Sequence, residues 1–220
     1  TTAEFEAYCR FFGRYFDVVG LSDLVAGVRQ RSDLSGKLAI TFDDGYADNV
    51  EAGRMLRDHG LPACFYSATG FIGTDRNGWW DVEQGLTSRW MSWEDVRQLA
   101  EWGFELGAHT ESHIDLGKVS GPAAVQEVEG SKAALERELG QPIVHFSYPF
   151  GRRDNINAEN LRMIEQAGFE SCTSAFGGAV DHGSNLFDLQ RVAVSPWHIS
   201  PWQLGYELLF EHSRSESPVP

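Results

Sequence analysis

Four times along this chain a segment with helical periodicity ends in glycine, and an apolar, strand-like run follows within a few residues. The junctions are Asp58-His59-Gly60 before Ala63–Tyr66, Glu101-Trp102-Gly103 before Phe104–Leu106, Glu138-Leu139-Gly140 before Ile143–Phe146, and Gln166-Ala167-Gly168 before Phe169 and Ser171–Ala175. A glycine one step past a helix takes up the left-handed conformation that releases the chain into a strand. The segments between the junctions carry helix signals of their own. Ser92 caps residues 92–102 with Asp95 three positions on, and Val96, Leu99 and Ala100 form one face. Pro122 opens 121–139, with Val125, Val128, Leu135 and Leu139 inward, and Asn157 caps 158–167. Glu4–Phe16 and Ser22–Arg31 read as two further helices. Strands are expected at 38–42, 63–68, 104–109, 143–148, 171–175 and 191–195. Such alternation predicts an α/β fold with mainly parallel strands and helices outside, in one domain spanning 1–220.

Composition removes several function classes. Lys and Arg total 18 against 32 Asp and Glu, a formal charge of −14, and a phosphate backbone or an anionic membrane surface needs a basic face. No nucleic-acid partner is expected. No apolar run approaches the roughly 20 residues of a membrane-spanning helix, and no signal peptide is legible, although the chain opens on Thr1 rather than Met. Cys9, Cys64 and Cys172 are odd in number and widely spaced, which makes neither a disulfide framework nor a zinc knuckle. Cys64 and Cys172 sit in strand-like runs and read as small buried hydrophobes.

In parallel α/β folds, chemistry collects on the loops that leave the carboxyl ends of strands. Three strands here run into able residues: 38–42 into Asp43-Asp44-Gly45, 104–108 into His109-Thr110-Glu111-Ser112-His113, and 143–146 into Ser147-Tyr148-Pro149-Phe150-Gly151. His109 and His113 are four apart, which places both imidazoles on one face if the segment forms a helical turn. One carboxylate from another strand end completes a two-histidine, one-carboxylate set with open positions. Such a set suits catalytic zinc, and equally cobalt, nickel or iron. The second aspartate of the pair is then free to act as a general base.

With both motifs in view, the sequence resembles the polysaccharide deacetylases with a NodB homology domain, carbohydrate esterase family 4. Thr41-Phe42-Asp43-Asp44-Gly45 matches that family's first motif, and His109–His113 matches its second, H-[ST]-x-x-H. The resemblance spans at least 38–195. It implies a distorted (β/α) barrel and metal-dependent hydrolysis of acetyl groups on sugars. It further implies Asp43 as base, with Asp44, His109 and His113 as ligands of a divalent metal, zinc above all. The third motif departs: the commoner form R-x-P-[YF] reads Ser147-Tyr148-Pro149-Phe150 here, so the arginine that orients the base must come from elsewhere, with Arg152, Arg153 and Arg191 as candidates. The Y-P-[YF]-G form resembles the branch that includes poly-N-acetylglucosamine deacetylases. By resemblance, Tyr148, Pro149 and Phe150 border the substrate, and the Phe150 N–H helps hold the oxyanion.

The general acid is assigned to His198, just past the strand expected at 191–195. In the poly-N-acetylglucosamine branch the acid histidine precedes the first motif on an N-terminal strand. Thr2–Leu24 resembles the stretch after that strand, so the domain is expected to lack it. Trp79, Trp80 and Trp90 fall in a long polar insertion from Gly73 to Trp90 without regular structure, and such insertions are commonly functional. Trp79, Trp80 and Trp197 are expected to meet sugar rings, while Trp93 and Trp102 pack on a helix. His59, His145, His182 and His212 read as structural. The expected partner is an acetylated glycan, which favours a location at the cell envelope or outside the cytoplasm. Three alternatives carry over: a hydrolase of another amide or formamide, a silent carbohydrate-binding protein, and a Mg²⁺ phosphoryl-transfer site. The last is disfavoured by histidine co-ligands.

Overall fold

The computed structural model of the chain describes residues 1–175, 177–194 and 200–215, with side chains as far as 208. Five parallel strands form one curled sheet in the order β3 (Thr41–Phe42), β4 (Cys64–Ser67), β5 (Glu105–Ala108), β6 (His145–Ser147) and β7 (Ser171–Thr173). A parallel pair, β1 (Asp17–Val18) with β2 (Lys37–Leu38), flanks it. The helices between strands are α3 (Asn49–Asp58), α5 (Trp93–Glu101), α6 (Gly121–Leu139) and α7 (Ala158–Gln166). The parallel α/β order is the one the alternation predicts, and its distorted, half-closed (β/α) barrel is the one the resemblance implies. The helices α1 (Thr2–Tyr15) and α2 (Leu21–Gln30) precede it, and α8 (Pro201–Ser215) packs back on α1.

The junction glycines behave as the pattern requires: Gly60, Gly103, Gly140 and Gly168 all have φ between 66° and 87°. Ser92 and Asp95 form a reciprocal capping box at α5, and Asn157 caps α7. The α2 N-terminus uses a different device. Its cap residue Gly20 offers no side chain, and the Glu105 carboxylate accepts from the Leu21 and Ser22 N–H groups at 2.7 and 3.0 Å.

Strand parity sorts the side chains. Phe65, Leu106, Phe146 and Cys172 point outward and are buried against Leu56, Leu99, Val128, Leu135 and Ile164 of the covering helices. The opposite parity fills the barrel with polar groups, among them His145, whose ring nitrogens meet Ser22 Oγ and Ser171 Oγ at 2.8 Å each. That contact makes His145 a structural residue, as its position in an apolar strand suggested. All three cysteines are free and buried.

Two expected strands differ. The run 38–42 is divided between two sheets: Leu38 pairs with β1, while Thr41 and Phe42 pair with β4. The chain crosses between them at Ala39-Ile40. The strand expected from 191 is reduced to one parallel bridge, Thr173 with Leu189, and residue 195 lies outside the described residues. Among the described residues the seam therefore has almost no ladder, and side chains bridge it. The insertion 73–90, expected to be irregular, contains one short helix, α4 (Trp79–Glu83).

At Gly107 the barrel interior leaves no room for a side chain, since a Cβ there would run into the Tyr66 ring and approach the His145 carbonyl. Gly107→Ala should destabilise the fold by about 1–3 kcal/mol, the usual cost of overpacking a fixed core. Urea unfolding would measure this as a lowered midpoint at unchanged slope.

Candidate active site

Backbone strain marks the three loops at the carboxyl ends of β3, β5 and β6. Among the described residues, five non-glycine residues have positive φ; Arg31 ends a helix, and the other four are Asp44 (74°), Thr110 (62°), His113 (54°) and Phe150 (63°). Each such residue costs of order 1–3 kcal/mol unless its surroundings hold it. Those surroundings are visible. Gly45 is wedged against Ile72 and Ser67 with no room for a Cβ. The Thr110 and Glu111 carbonyls accept from the Thr69 and Gly70 N–H groups at 3.2 and 2.7 Å. Glu127 of α6 clamps the loop from the other side, its carboxylate accepting from the Ser112 N–H at 2.8 Å and from the Ser112 hydroxyl.

His109 and His113 converge by this kink and not by a helical turn. Residues 109–113 are bent, irregular backbone, so i,i+4 helical spacing is replaced by two left-handed residues. The outcome is a three-residue donor set. Asp44 Oδ1 lies 3.1 Å from His109 Nε2 and 3.2 Å from His113 Nε2, and all three donor atoms fall within 4.8 Å of one another. Ligands about 2.0–2.2 Å from a tetrahedral ion sit roughly 3.3–3.6 Å apart, so the set fits a divalent cation. The His109 Nδ1–H donates to the Ser147 carbonyl at 2.7 Å, which fixes the tautomer and aims Nε2 at Asp44. Burial opposes the Asp44 charge, but hydrogen bonds from both histidines outweigh it and keep the carboxyl well below the ordinary range. Burial pushes His113 down, whereas the Asp44 contact overcomes burial at His109 and holds it up.

Asp43 is turned away from this set. Arg191 donates to both its oxygens, Nη1 to Oδ1 at 2.8 Å and Nη2 to Oδ2 at 2.7 Å. The same guanidinium donates to Thr41 Oγ1 at 2.9 Å, Ser147 Oγ at 3.0 Å and the Ser174 carbonyl at 2.6 Å. Burial disfavours the Asp43 charge, and the adjacent Arg191 charge more than compensates, so the carboxyl titrates below its usual range. Of the three arginines offered for the third motif's missing arginine, Arg191 is the one on Asp43. Arg152 is exposed, and Arg153 lies in a short 3₁₀ turn (Arg153–Asn155).

Asp43, Asp44, His109, His113, Trp80, Gln84, Phe150 and Ala175 line a cleft of about 260 Å³. Trp80 lies nearly buried on His113, ring centroids 3.9 Å apart, and Phe150 packs edge-on against the same imidazole at 4.8 Å. Trp79 does not line the cleft; it is half exposed beside the cleft-lining Phe150, ring centroids 5.6 Å apart. Tyr148 does not line the cleft: one residue beyond inward-facing Ser147, it falls on the outer face beside Phe146 and is buried there. Pro149 is buried, its carbonyl accepting from the Gly151 N–H. The Phe150 N–H makes no hydrogen bond among the described residues. His198 and Trp197 lie outside the described residues, as does the His212 side chain. His59 pairs with Glu6 at 2.8 Å, on the surface and away from the cleft. Sequence reasoning passed over Glu127, Tyr46, Asp81 and Gln84, none of which carries a local motif.

The polysaccharide deacetylase family matches residues 31–172, which contain both acidic and histidine motifs. The chain belongs to the polysaccharide deacetylase family. Among curated relatives, Bacillus subtilis YxkH, named for the polysaccharide deacetylases, is 29% identical over 158 residues, 71% of this chain and 51% of YxkH. The chain thus spans about half the length of that relative. Among solved structures, Streptococcus pyogenes deacetylase PplD in complex with acetate aligns with a TM-score of 0.79 at 19% identity, covering 93% of this chain and 85% of PplD. IcaB from Ammonifex degensii aligns at 0.77 and 21% identity, covering 94% and 88%. At these identities the likeness establishes a shared fold. Among the described residues, no helix is long and apolar enough to cross a membrane.

The Arg191–Asp43 pair sets a stability prediction. Because the folded Asp43 pKa lies below the unfolded value of about 3.9, the pair contributes stability that is present above that value and lost as pH falls through the depressed one. Arg191→Met should cost roughly 3 kcal/mol near pH 7, the lower end for breaking a buried pair when one partner faces a cleft. It should also flatten this part of the acid dependence. Urea midpoints measured from pH 3 to 7 would report both.

Proposed function

We propose that this chain removes acetyl groups from N-acetylated sugars of a polysaccharide or oligosaccharide, with a divalent metal, zinc first among candidates, held by Asp44, His109 and His113. The observation that carries this reading is the division of labour between adjacent aspartates. Asp44 faces two imidazole nitrogens, whereas Asp43 is held out of that set by Arg191. When bound, the metal supplies Lewis-acid polarisation of the acetyl carbonyl and lowers the pKa of water at the site.

The remaining steps belong to the chain's own residues. Asp43, ionised by its contact with Arg191 and open to the cleft, accepts the proton of the attacking water. The Phe150 N–H, without a partner among the described residues, donates to the oxyanion that develops on the carbonyl oxygen. His198 gives a proton to the departing amine; this role rests on residue type and position in the sequence. Trp79, exposed beside the cleft-lining Phe150, offers an apolar face to a neighbouring sugar ring, which favours a glycan chain over a small amide. A glycan polymer in turn favours action at the cell envelope.

The test is acetate release from N-acetylglucosamine oligomers by the chelated protein, then after addition of Zn²⁺ or Co²⁺. The expected result is metal-restored release. Asp43→Asn should keep the metal and lose about 10²–10⁴-fold in turnover, the usual share of a general base, while His109→Ala should lose the metal itself. Full turnover in the Asp43→Asn protein, or release that ignores the chelator, would overturn the reading.

A further inference from the structure

The two histidine ligands are held in different ways. His109 is oriented by a hydrogen bond from its Nδ1–H to the Ser147 carbonyl. His113 has no counterpart among the described residues, where its Nδ1 is buried and without a hydrogen-bond partner. Metal-binding histidines ordinarily donate that second N–H to an oxygen that fixes the ring. In its absence the imidazole could turn about its broad χ2 well and carry Nε2 off the shared Asp44 oxygen. What confines His113 is packing against Phe150 and Trp80.

Trp80 is itself anchored by a chain of hydrogen bonds that ends on a buried acid. Its indole Nε1–H donates to Tyr46 Oη at 2.9 Å. The Tyr46 hydroxyl lies 2.9 and 3.0 Å from the two oxygens of Asp81, to which it donates. Asp81 is only 6% exposed and also accepts from Ser88 Oγ at 2.6 Å; that oxygen in turn accepts from the Gly78 N–H at 2.7 Å. The Tyr46 ring stacks on Trp90 with centroids 4.8 Å apart. Backbone bonds from Ala47 to Arg89 and from Met91 to Gly45 stitch the insertion to the loop carrying Asp44.

We propose that Asp81, acting through Tyr46 and Trp80, is a positioning residue for His113. The buried carboxylate orients the phenol, the phenol fixes the indole, and the indole holds the imidazole in register with Asp44 and His109. The insertion thereby does for His113 what the Ser147 carbonyl does for His109. This inference rests on the reading that Asp44, His109 and His113 bind a divalent cation.

The test is Co²⁺ titration of the chelated full chain, followed by its visible absorption and by competition with a chelator. The variants are Tyr46→Phe, Asp81→Asn and Trp80→Leu, with Glu83→Gln on the exposed side of α4 as control. Tyr46→Phe keeps the stack on Trp90 and deletes only the linking hydroxyl, so it decides the matter if Asp81→Asn folds poorly. The expected result is Co²⁺ affinity weakened about 10-fold or more, as for loss of an outer-sphere partner. The cobalt spectrum should change while the metal-free melting temperature of Tyr46→Phe stays near wild type. Tyr46→Phe and Trp80→Leu combined should lose no more than Trp80→Leu alone, because they act along one path. Wild-type affinity and spectrum in Tyr46→Phe and Asp81→Asn would overturn the proposal. A wild-type chain that takes up no Co²⁺ would overturn the metal reading and this inference with it. Tight Co²⁺ binding without acetate release would count against the deacetylase reading alone.

Discussion

The guanidinium of Arg191 uses all five of its N–H groups, and most of what is specific to this barrel depends on them. Its partners come from three places on the rim: Thr41 and Asp43 at β3, Ser147 at β6, and Ser174 just beyond β7. Among the described residues the backbone ladder at the seam amounts to a single bridge at Leu189, and a side chain two residues later spans the strands around it. Burial works against the Arg191 charge, and the Asp43 carboxylate more than offsets it. A buried pair of this kind is weak evidence for net stability, because its desolvation cost is of the same order as its attraction. Its evident effect is geometric: Asp43 has one orientation available.

That orientation separates two neighbouring carboxylates which would otherwise compete for one role. Asp44, in a left-handed conformation that only its tightly packed turn sustains, faces the imidazoles; Asp43 faces the guanidinium. Ser147 connects the two halves, since its hydroxyl accepts from Arg191 and its carbonyl accepts from His109. A shift of β6 would therefore disturb Asp43 and His109 together. The strained residues cluster in these loops because each loop must aim a side chain into the cleft within a few residues of a strand's end.

The barrel was legible in the sequence because its signals are local. The junction glycines, the Ser92–Asp95 box and the Asn157 cap each act within a few residues, and the structure realises all of them. The acidic and histidine motifs were legible for the same reason, together with their position at strand ends. What stayed hidden is set by distance along the chain. Arg191 is 148 residues from Asp43, and nothing near it distinguishes it from Arg152 or Arg153. Glu127 grips Ser112 across 15 residues and reads, in sequence, as one more charge on a helix. The helical spacing of His109 and His113 pointed to a turn that the Thr110 and His113 backbone does not make. Tyr148 shows the limit of motif adjacency: strand parity sends it to the core although Ser147 and Phe150 of the same motif reach the site. The run 38–42 read as one strand because its composition is uniform, whereas its hydrogen bonds divide between two sheets.

Asp44 is proposed to hold a metal, whereas Asp43 is held by Arg191. A crystal structure of the zinc-loaded chain tests this division most directly. The account predicts Asp44, His109 and His113 at about 2.0–2.2 Å from the ion, with Asp43 outside the coordination sphere and still bidentate to Arg191. An ion ligated by Asp43, or an Arg191 that has left it, would contradict the account.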